Sequence, residues 1–132
     1  MNYVREPKAP AHCVLLVDDD KAVRRSVAMF LRARGYDVRD YSLGAELLAD
    51  SALERGTCLI TDYVMPDLDG FALLEALRNR NWSAPAILIA GRYERDLQQR
   101  SLRCGFSALI EKPITDERLL DALHLCLCKA GT

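Results

Sequence analysis

Acidic side chains and one lysine follow three of the predicted strands of this chain. Asp18, Asp19 and Asp20 come directly after the first strand, Asp62 ends the third, and Lys112 follows the fifth. Open α/β sheets place their ligands at the carboxyl ends of the strands, so these side chains are expected along one edge. Carboxylates that crowd together repel one another unless a cation lies between them. Oxygen ligands of this kind suit Mg²⁺, so the residues predict a magnesium site beside a lysine.

The stretch Cys58–Gly70 carries the clearest local signal for such a site. It begins with an apolar run that is too short for a helix and is typical of a buried strand. Pro66 cannot continue a strand ladder, and Asp69-Gly70 is a turn or helix-cap signal. Taken alone, Asp62 predicts only the cap of a turn. Taken alone, Asp18–Asp20 predicts only a solvated helix cap. Their combination with a lysine after another strand favours a binding site.

Five predicted strands alternate with five predicted helices, joined by connections of a few residues. The strands are Cys13–Val17, Asp37–Tyr41, Cys58–Thr61, Ala86–Ile89 and Ala108–Ile110. The helices are Lys21–Arg34, Ser42–Arg55, Phe71–Asn79, Arg92–Arg103 and Thr115–Lys129. This alternation predicts an α/β fold, a single doubly wound (βα)5 domain with a flavodoxin-like parallel sheet of strand order 2-1-3-4-5. In that order the first and third strands are neighbours, which places Asp18–Asp20 beside Asp62.

Composition sets the class of the protein and excludes several partners. The 132 residues suit one domain, and we expect residues 1–11 to be a flexible lead-in, residues 12–130 to form the domain, and no effector domain to follow. A net charge of −1 predicts neither nucleic acid nor a membrane surface as a partner. The chain shows neither a membrane-spanning run nor a signal-peptide core, and its five cysteines form no CxxC pair. These features predict a cytoplasmic protein with reduced, buried thiols.

Three motifs resemble those of the receiver domain of bacterial two-component response regulators. They are Val17-Asp18-Asp19-Asp20, then Asp62 with Met65-Pro66 and Asp69-Gly70, then Glu111-Lys112-Pro113. The resemblance covers about Cys13 to Lys129. Each short motif is weak by itself, but the set is highly specific because the motifs keep this order and spacing and each lies at a strand end.

The resemblance implies a role for each matching residue. Asp62 matches the phosphoacceptor, which takes a phosphoryl group from a histidine kinase or a histidine phosphotransfer protein. Asp18 and Asp19 match the acidic pair that holds Mg²⁺ together with Asp62, and the backbone carbonyl of Val64 matches a further ligand. Lys112 matches the lysine that pairs with the phosphoryl oxygens. These roles agree with the chemistry, since phosphoryl transfer depends mainly on positioning and charge neutralisation.

Two positions depart from the family pattern. The fourth strand of the family ends in a threonine or serine that grips the phosphoryl group, and Ala90 stands there in this chain. The fifth strand of the family carries an aromatic switch residue, and Leu109 stands there. The backbone amide of Gly91 keeps its implied phosphate contact, and the Lys112-Pro113 bond resembles the cis bond of the family. We therefore expect complete phosphoacceptor chemistry and an altered conformational switch.

The implied function is that of a phosphoacceptor that modifies itself and loses the group slowly, rather than an enzyme with a separate substrate. Output would pass by protein contact or relay to an unknown downstream protein. Leu125 and Cys128 point away from the packed side of the last helix, which predicts a docking or homodimer face, with a single exposed leucine as the ordinary alternative. Two other classes stay open. One is a haloacid-dehalogenase-like phosphohydrolase with Asp18 as nucleophile, and the other is a receiver-like interaction module that is never phosphorylated.

Overall fold

A computed structural model describes residues 12–91 and 96–130 of the chain, with side chains as far as residue 127. The strands are β1 (Cys13–Val17), β2 (Asp37–Tyr41), β3 (Cys58–Asp62), β4 (Ala86–Ala90) and β5 (Ala108–Glu111). The helices are α1 (Lys21–Ala33), α2 (Gly44–Ala49), α3 (Gly70–Asn79), α4 (Leu97–Cys104) and α5 (Asp116–Ala130), with a 3₁₀ turn at Ser51–Arg55. The predicted lead-in at residues 1–11 lies outside the described residues.

The five strands form one parallel sheet in the order β2-β1-β3-β4-β5, which confirms the predicted fold. Val17 of β1 lies opposite Thr61 of β3, so the residues that follow each strand are neighbours across the same edge. Ala90 of β4 lies opposite Glu111 of β5. From β1 the chain continues to β2 on one side of the sheet, and from β3 it continues to β4 on the other, so the edge between β1 and β3 is the topological switch point at which such sheets bind ligands.

The central strands β1, β3 and β4 are buried on both faces, which explains their continuous apolar sequences. Residues at alternating positions enter two separate core clusters. One cluster lies with α2 and α3 and includes Leu15, Leu59, Leu73, Leu77 and Leu88. The other lies with α1 and α5 and includes Leu16, Leu31, Ile60, Ile87 and Leu123. Among the described residues, no helix is both long enough and apolar enough to cross a membrane.

The second helix was predicted as one segment, Ser42–Arg55, and that prediction was wrong. Helix α2 ends at Ala49, and Asp50 then adopts an extended conformation with φ −81° and ψ 116°. The Asp50 carboxylate accepts a hydrogen bond from Ala52 N–H at 2.8 Å, so it caps the 3₁₀ turn Ser51–Arg55. An aspartate favours such a cap over a helix interior because its short side chain competes for backbone donors.

Two side chains of β2 hold Asp50 in this conformation. The hydroxyl of Tyr41 donates a hydrogen bond to Asp50 Oδ2, and a guanidinium nitrogen of Arg39 lies 3.1 Å from the same oxygen. The pKa of Tyr41 is raised to about 12, mainly by burial and secondly by the hydrogen bond with Asp50. The hydrogen bond from Tyr41 lowers the pKa of Asp50. Contacts with β2 therefore hold Asp50 in the conformation that ends α2.

Other element ends differ from the predictions by smaller amounts. Strands β3, β4 and β5 each run one residue further than predicted. Helix α4 begins at Leu97 within the described residues, whereas the prediction began at residue 92 in a part that the structure does not describe. Thr115 caps α5 as predicted, because its Oγ1 accepts a hydrogen bond from Arg118 N–H at 3.2 Å.

The cysteines were predicted as buried core residues, and Cys104 is an exception. Cys13, Cys58 and Cys126 are buried free thiols, whereas Cys104 is free but exposed. Cys104 is the last residue of the amphipathic helix α4, and its position there faces away from the core. The prediction for this residue was therefore wrong.

Candidate functional site

Three carboxylates meet where β1 and β3 end side by side. One oxygen from each of Asp18, Asp19 and Asp62 lies within 4.8 Å of the others. Asp18 is fully buried, Asp62 is 6% exposed and Asp19 is exposed. Asp20 has a different role, because its carboxylate accepts hydrogen bonds from the first turn of α1 and caps that helix. The structure thus brings together the three acids predicted for the metal site and leaves Asp20 outside.

The two carboxylate oxygens of Asp18 have unequal surroundings. Oδ1 accepts a hydrogen bond from Asp20 N–H at 2.9 Å. Oδ2 is buried and has no hydrogen-bond partner among the described residues. Burial raises the pKa of Asp18 to about 6, and the charge on Asp62 contributes to that rise. Burying a carboxylate oxygen without a hydrogen-bond donor is unfavourable in free energy, so Asp18 Oδ2 is a candidate to bind a cation.

The side chain of Lys112 places a positive charge at the same edge of the sheet. Its Nζ donates a hydrogen bond to Asp62 Oδ2 at 3.0 Å and lies 3.8 Å from Asp18 Oδ2. Burial acts to lower the pKa of Lys112, but the hydrogen bond to Asp62 and the surrounding carboxylates outweigh it, so that pKa is raised. The lysine is therefore a stable positive charge beside Asp62.

The backbone around Lys112 fixes the start of its side chain. Lys112 N–H donates a hydrogen bond to Ala90 O at 2.8 Å, which ties the end of β5 to the end of β4. The Lys112-Pro113 peptide is cis, as the resemblance implied. The two strand ends together direct the lysine side chain toward Asp62.

Gly70 allows α3 to begin against the end of β3. A Cβ atom added at this position would lie 2.8 Å from Asp62 O and 2.7 Å from Leu88 Cδ1, distances too short for any side chain. Asp69 accepts a hydrogen bond from Ala72 N–H at 2.8 Å and caps the helix. The Asp69-Gly70 signal predicted the cap, but the close approach to Asp62 has no signature in the sequence.

Val64 and Gly91 lie at the predicted places, in the loops after β3 and β4. Val64 is 69% exposed. A Cβ at Gly91 would have Lys112 Cδ, at 3.9 Å, as its nearest neighbour. The proposed contacts of their backbone groups, to metal and to phosphate, stay predictions.

Ala90 and Leu109, the two departures from the family pattern, lie at the expected positions in β4 and β5. Ala90 is the last residue of β4, is 1% exposed, and offers only a methyl group. Leu109 of β5 is half-buried and packs against the core cluster that includes Phe106.

Arg24 contacts the site and was not predicted. Its guanidinium donates a hydrogen bond to Asp18 O at 2.8 Å. In the sequence Arg24 is one of several charged residues on the polar side of an amphipathic helix, so no motif distinguishes it.

Comparison with known proteins identifies relatives over most of the chain. The family model of the response regulator receiver domain matches residues 14–124. The C4-dicarboxylate transport transcriptional regulatory protein DctR of Rhodobacter capsulatus is 34% identical over 110 residues, which cover 82% of this chain and 56% of DctR. The transcriptional regulatory protein FixJ of Rhizobium meliloti is 31% identical over 113 residues, which cover 86% of this chain and 55% of FixJ.

Solved structures show the same fold. Chemotaxis protein CheY4 of Vibrio cholerae has a TM-score of 0.81 and 28% identity, over 87% of this chain and 98% of that one. A CheY-like receiver domain protein from Methanospirillum hungatei has a TM-score of 0.80 and 28% identity, over 89% of this chain and 94% of that one. The chain spans about half the length of the curated relatives named above.

Proposed function

This chain belongs to the response regulator receiver domain family, which acts in two-component phosphorelay signalling, and we propose that Asp62 is its phosphoacceptor. The position of that carboxylate carries the proposal. Asp62 ends β3, receives a hydrogen bond from Lys112 Nζ at 3.0 Å, and lies beside Asp18 and Asp19. A nucleophile placed between metal-binding acids and a cation suits phosphoryl transfer, since that reaction depends on position and charge neutralisation.

In the proposed reaction, an oxygen of Asp62 attacks the phosphorus of a phosphohistidine on the donor protein. A P–O bond forms while the P–N bond breaks, and the electron pair of the broken bond returns to the imidazole nitrogen. The product is an acyl phosphate, which is an established form of covalent catalysis by aspartate. Lys112 carries a raised pKa, so it is protonated and can pair with the phosphoryl oxygens. The Gly91 amide is a second proposed donor to those oxygens.

The residues present fit a Mg²⁺ ion. Asp18, Asp19 and Asp62 offer oxygens within 4.8 Å of one another, and the buried Asp18 Oδ2 has no donor among the described residues. We propose that these acids hold the ion together with the backbone carbonyl of Val64. A bound Mg²⁺ supplies charge neutralisation to the phosphoryl oxygens. The chain itself supplies the nucleophile, the lysine and the backbone donors.

Receiver domains interact with histidine kinases or histidine phosphotransfer proteins, and a groove beside Lys112 suits such a donor. The groove has a volume of about 550 Å³ and lies between α1 and the loop before α5. Its lining is mainly apolar and includes Val23, Val27, Pro113 and Ile114. A donor must bring its histidine to Asp62 and must therefore cover the surface next to Lys112. We assign this groove to the donor protein.

The proposal also covers how the phosphorylated protein passes on its signal and where in the cell it acts. Receiver domains are phosphoacceptors that lose the group slowly, and we propose that this one, at residues 12–130, has no separate substrate. Its phosphorylated form would act on a downstream protein by contact or by relay. Leu125 of α5 is 49% exposed and is the proposed centre of a homodimer contact. The free thiols among the described residues suit the reducing cytoplasm, where we place the protein.

Phosphorylation without a kinase tests the proposal. Incubation with Mg²⁺ and acetyl phosphate should add one phosphoryl group, detected by intact-mass spectrometry and mapped to Asp62. Asp62→Asn should abolish the modification because an amide cannot form an acyl phosphate. Asp121→Asn removes an exposed carboxylate of α5 and should be modified like the parent.

The same experiment decides between the proposal and its alternatives. A label that maps to Asp18 would support the phosphohydrolase alternative, although Asp18 is fully buried and the family match favours a receiver domain. A parent protein that takes up no label would support an unphosphorylated interaction module. Either result would overturn the assignment of Asp62.

A further inference from the structure

The guanidinium of Arg24 joins the loop that carries Asp18 and Asp19 to the edge strand β2. Nη1 donates a hydrogen bond to Asp18 O at 2.8 Å, and Nε lies 3.3 Å from Asp40 Oδ2. The arginine side chain is only 15% exposed. From these contacts we infer that Arg24 is a positioning residue for the magnesium site, an inference that rests on the proposed function.

The carbonyl that Arg24 contacts belongs to the peptide group between Asp18 and Asp19. A peptide group is planar, so a fixed oxygen also fixes the nitrogen and the Cα atom of Asp19. The Asp19 side chain is exposed, so the backbone rather than packing determines where its carboxylate stands. Arg24 therefore helps to orient Asp19, a proposed metal ligand, through the peptide group that precedes it.

Three further hydrogen bonds hold the same loop, and one of them is the bond from Asp20 N–H to Asp18 Oδ1 at 2.9 Å. Asp18 N–H donates to Tyr41 O at 3.1 Å, so the peptide groups on both sides of Asp18 are bound. Arg24 N–H donates to Asp20 O at 2.9 Å, the first hydrogen bond of α1. The guanidinium bond is the one among these that fixes the peptide plane leading into Asp19.

Asp40 anchors the arginine and supplies a matched control. Its Oδ2 pairs with Arg24, and its Oδ1 lies 3.2 Å from Arg32 Nη2. Arg32 also donates a hydrogen bond to Val38 O at 2.7 Å. Both arginines belong to α1 and pair with the same carboxylate, but only Arg24 contacts the loop with the acidic residues.

Charge and geometry predict opposite effects when Arg24 is removed. Loss of a nearby positive charge makes a site more attractive to Mg²⁺. Loss of a residue that orients metal ligands weakens binding instead, commonly by about 10–100-fold. The sign of the change in affinity therefore separates a positioning role from a long-range electrostatic one.

The test compares Mg²⁺ affinity in the parent, Arg24→Gln and Arg32→Gln by isothermal titration calorimetry. We expect Arg24→Gln to bind Mg²⁺ about tenfold more weakly and Arg32→Gln to bind like the parent or slightly more tightly. Phosphorylation of Arg24→Gln by acetyl phosphate should be slow at low Mg²⁺ and recover most of the parent rate at saturating Mg²⁺.

Parental or tighter Mg²⁺ binding by Arg24→Gln would overturn the inference, as would an equal loss in Arg32→Gln. If circular dichroism shows that Arg24→Gln is unfolded, the Mg²⁺ affinity of Arg24→Lys provides the test instead. Lysine keeps the positive charge but lacks the planar guanidinium that contacts both Asp18 O and Asp40 Oδ2. Weaker binding by Arg24→Lys supports the inference, and parental binding overturns it. A parent that binds no Mg²⁺ would instead overturn the proposed function itself.

Discussion

The ammonium nitrogen of Lys112 lies 3.0 Å from Asp62 Oδ2 and 3.8 Å from Asp18 Oδ2, so one cation serves two carboxylates. The charge proposed to meet the phosphoryl group is thus already at the acceptor before the group arrives. This arrangement requires no large movement of the lysine, which favours catalysis by preorganised electrostatics.

Lys112→Gln should slow phosphorylation of Asp62 by about 100-fold, by analogy with the loss of one preorganised donor to a developing negative charge. The metal-free protein should also melt at a lower temperature, because Asp18 and Asp62 lose their shared cation. Acetyl phosphate kinetics and thermal denaturation measure the two effects. Lys21→Gln removes an exposed lysine at the start of α1 and should change neither quantity. A parental rate in Lys112→Gln would exclude the proposed role of the lysine.

Mg²⁺ should stabilise the fold because it relieves the repulsion among Asp18, Asp19 and Asp62. At a free concentration 100 times the dissociation constant, the gain in unfolding free energy should be about 2.7 kcal/mol. Asp19→Asn should lose most of this gain, yet melt at a higher temperature than the parent without metal because one like charge is gone. Thermal melts with Mg²⁺ and with a chelator test both parts. A melting temperature indifferent to Mg²⁺ in the parent would count against the cluster.

The sheet and the site edge were predictable because their signals are local. β1, β3 and β4 are continuous apolar runs, since helices cover both of their faces, and the runs of β1 and β3 stop at Asp18 and Asp62. The parallel alternation then limits the strand order to a few choices, and the most common one places Asp18 beside Asp62.

Features that depend on tertiary contacts were not predictable in the same way. At the break in the second predicted helix, Tyr41 and Arg39 of β2 bind the Asp50 carboxylate. The contact of Arg24 with Asp18 O arises from the helix orientation, which the sequence of α1 does not record. In both cases the contact joins a polar side chain to a partner outside its own helix or strand, and neither local sequence shows it.

Tyr41 should ionise well above the ordinary range of a tyrosine, because burial and its hydrogen bond to Asp50 raise its pKa to about 12. The folded protein then keeps a proton that the unfolded chain loses near pH 10, so stability falls as pH rises from about 10 to 12. Tyr41→Phe should remove this part of the alkaline destabilisation. The difference in phenolate absorbance between the parent and Tyr41→Phe, titrated against pH, gives the pKa directly.

Asp50→Asn provides the control for that titration. It removes the charge that adds to the rise but leaves Tyr41 in its half-buried position. The pKa of Tyr41 should therefore fall only part of the way to its ordinary value. A Tyr41 that ionises near pH 10 in the parent would contradict the described contact.

Ala90 should weaken the conformational response to phosphorylation. A ligand shifts an equilibrium between two states only by its differential affinity for them. A hydroxyl at this position would add a hydrogen bond to a charged group, on the order of 1.5–3 kcal/mol, and the methyl group of Ala90 adds none. Leu109, half-buried in β5, likewise lacks the ring and polar tip of an aromatic switch residue. We therefore expect phosphorylation to displace α4 less than in receivers that carry both groups, which suits relay or recognition of Asp62 itself.

Amide chemical shifts with and without beryllium fluoride, a phosphoryl mimic, test this expectation. In the parent, shifts should concentrate near Asp62 and Lys112 and stay small across α4. Ala90→Thr should enlarge the α4 shifts because its hydroxyl can draw the loop after β4 toward the mimic. Ala90→Val is the matched control, since it has nearly the shape of threonine without the hydroxyl, and it should leave the α4 shifts small. Large α4 shifts in the parent would mean that Lys112 and the Gly91 amide suffice to move the loop, and the argument from Ala90 would fail.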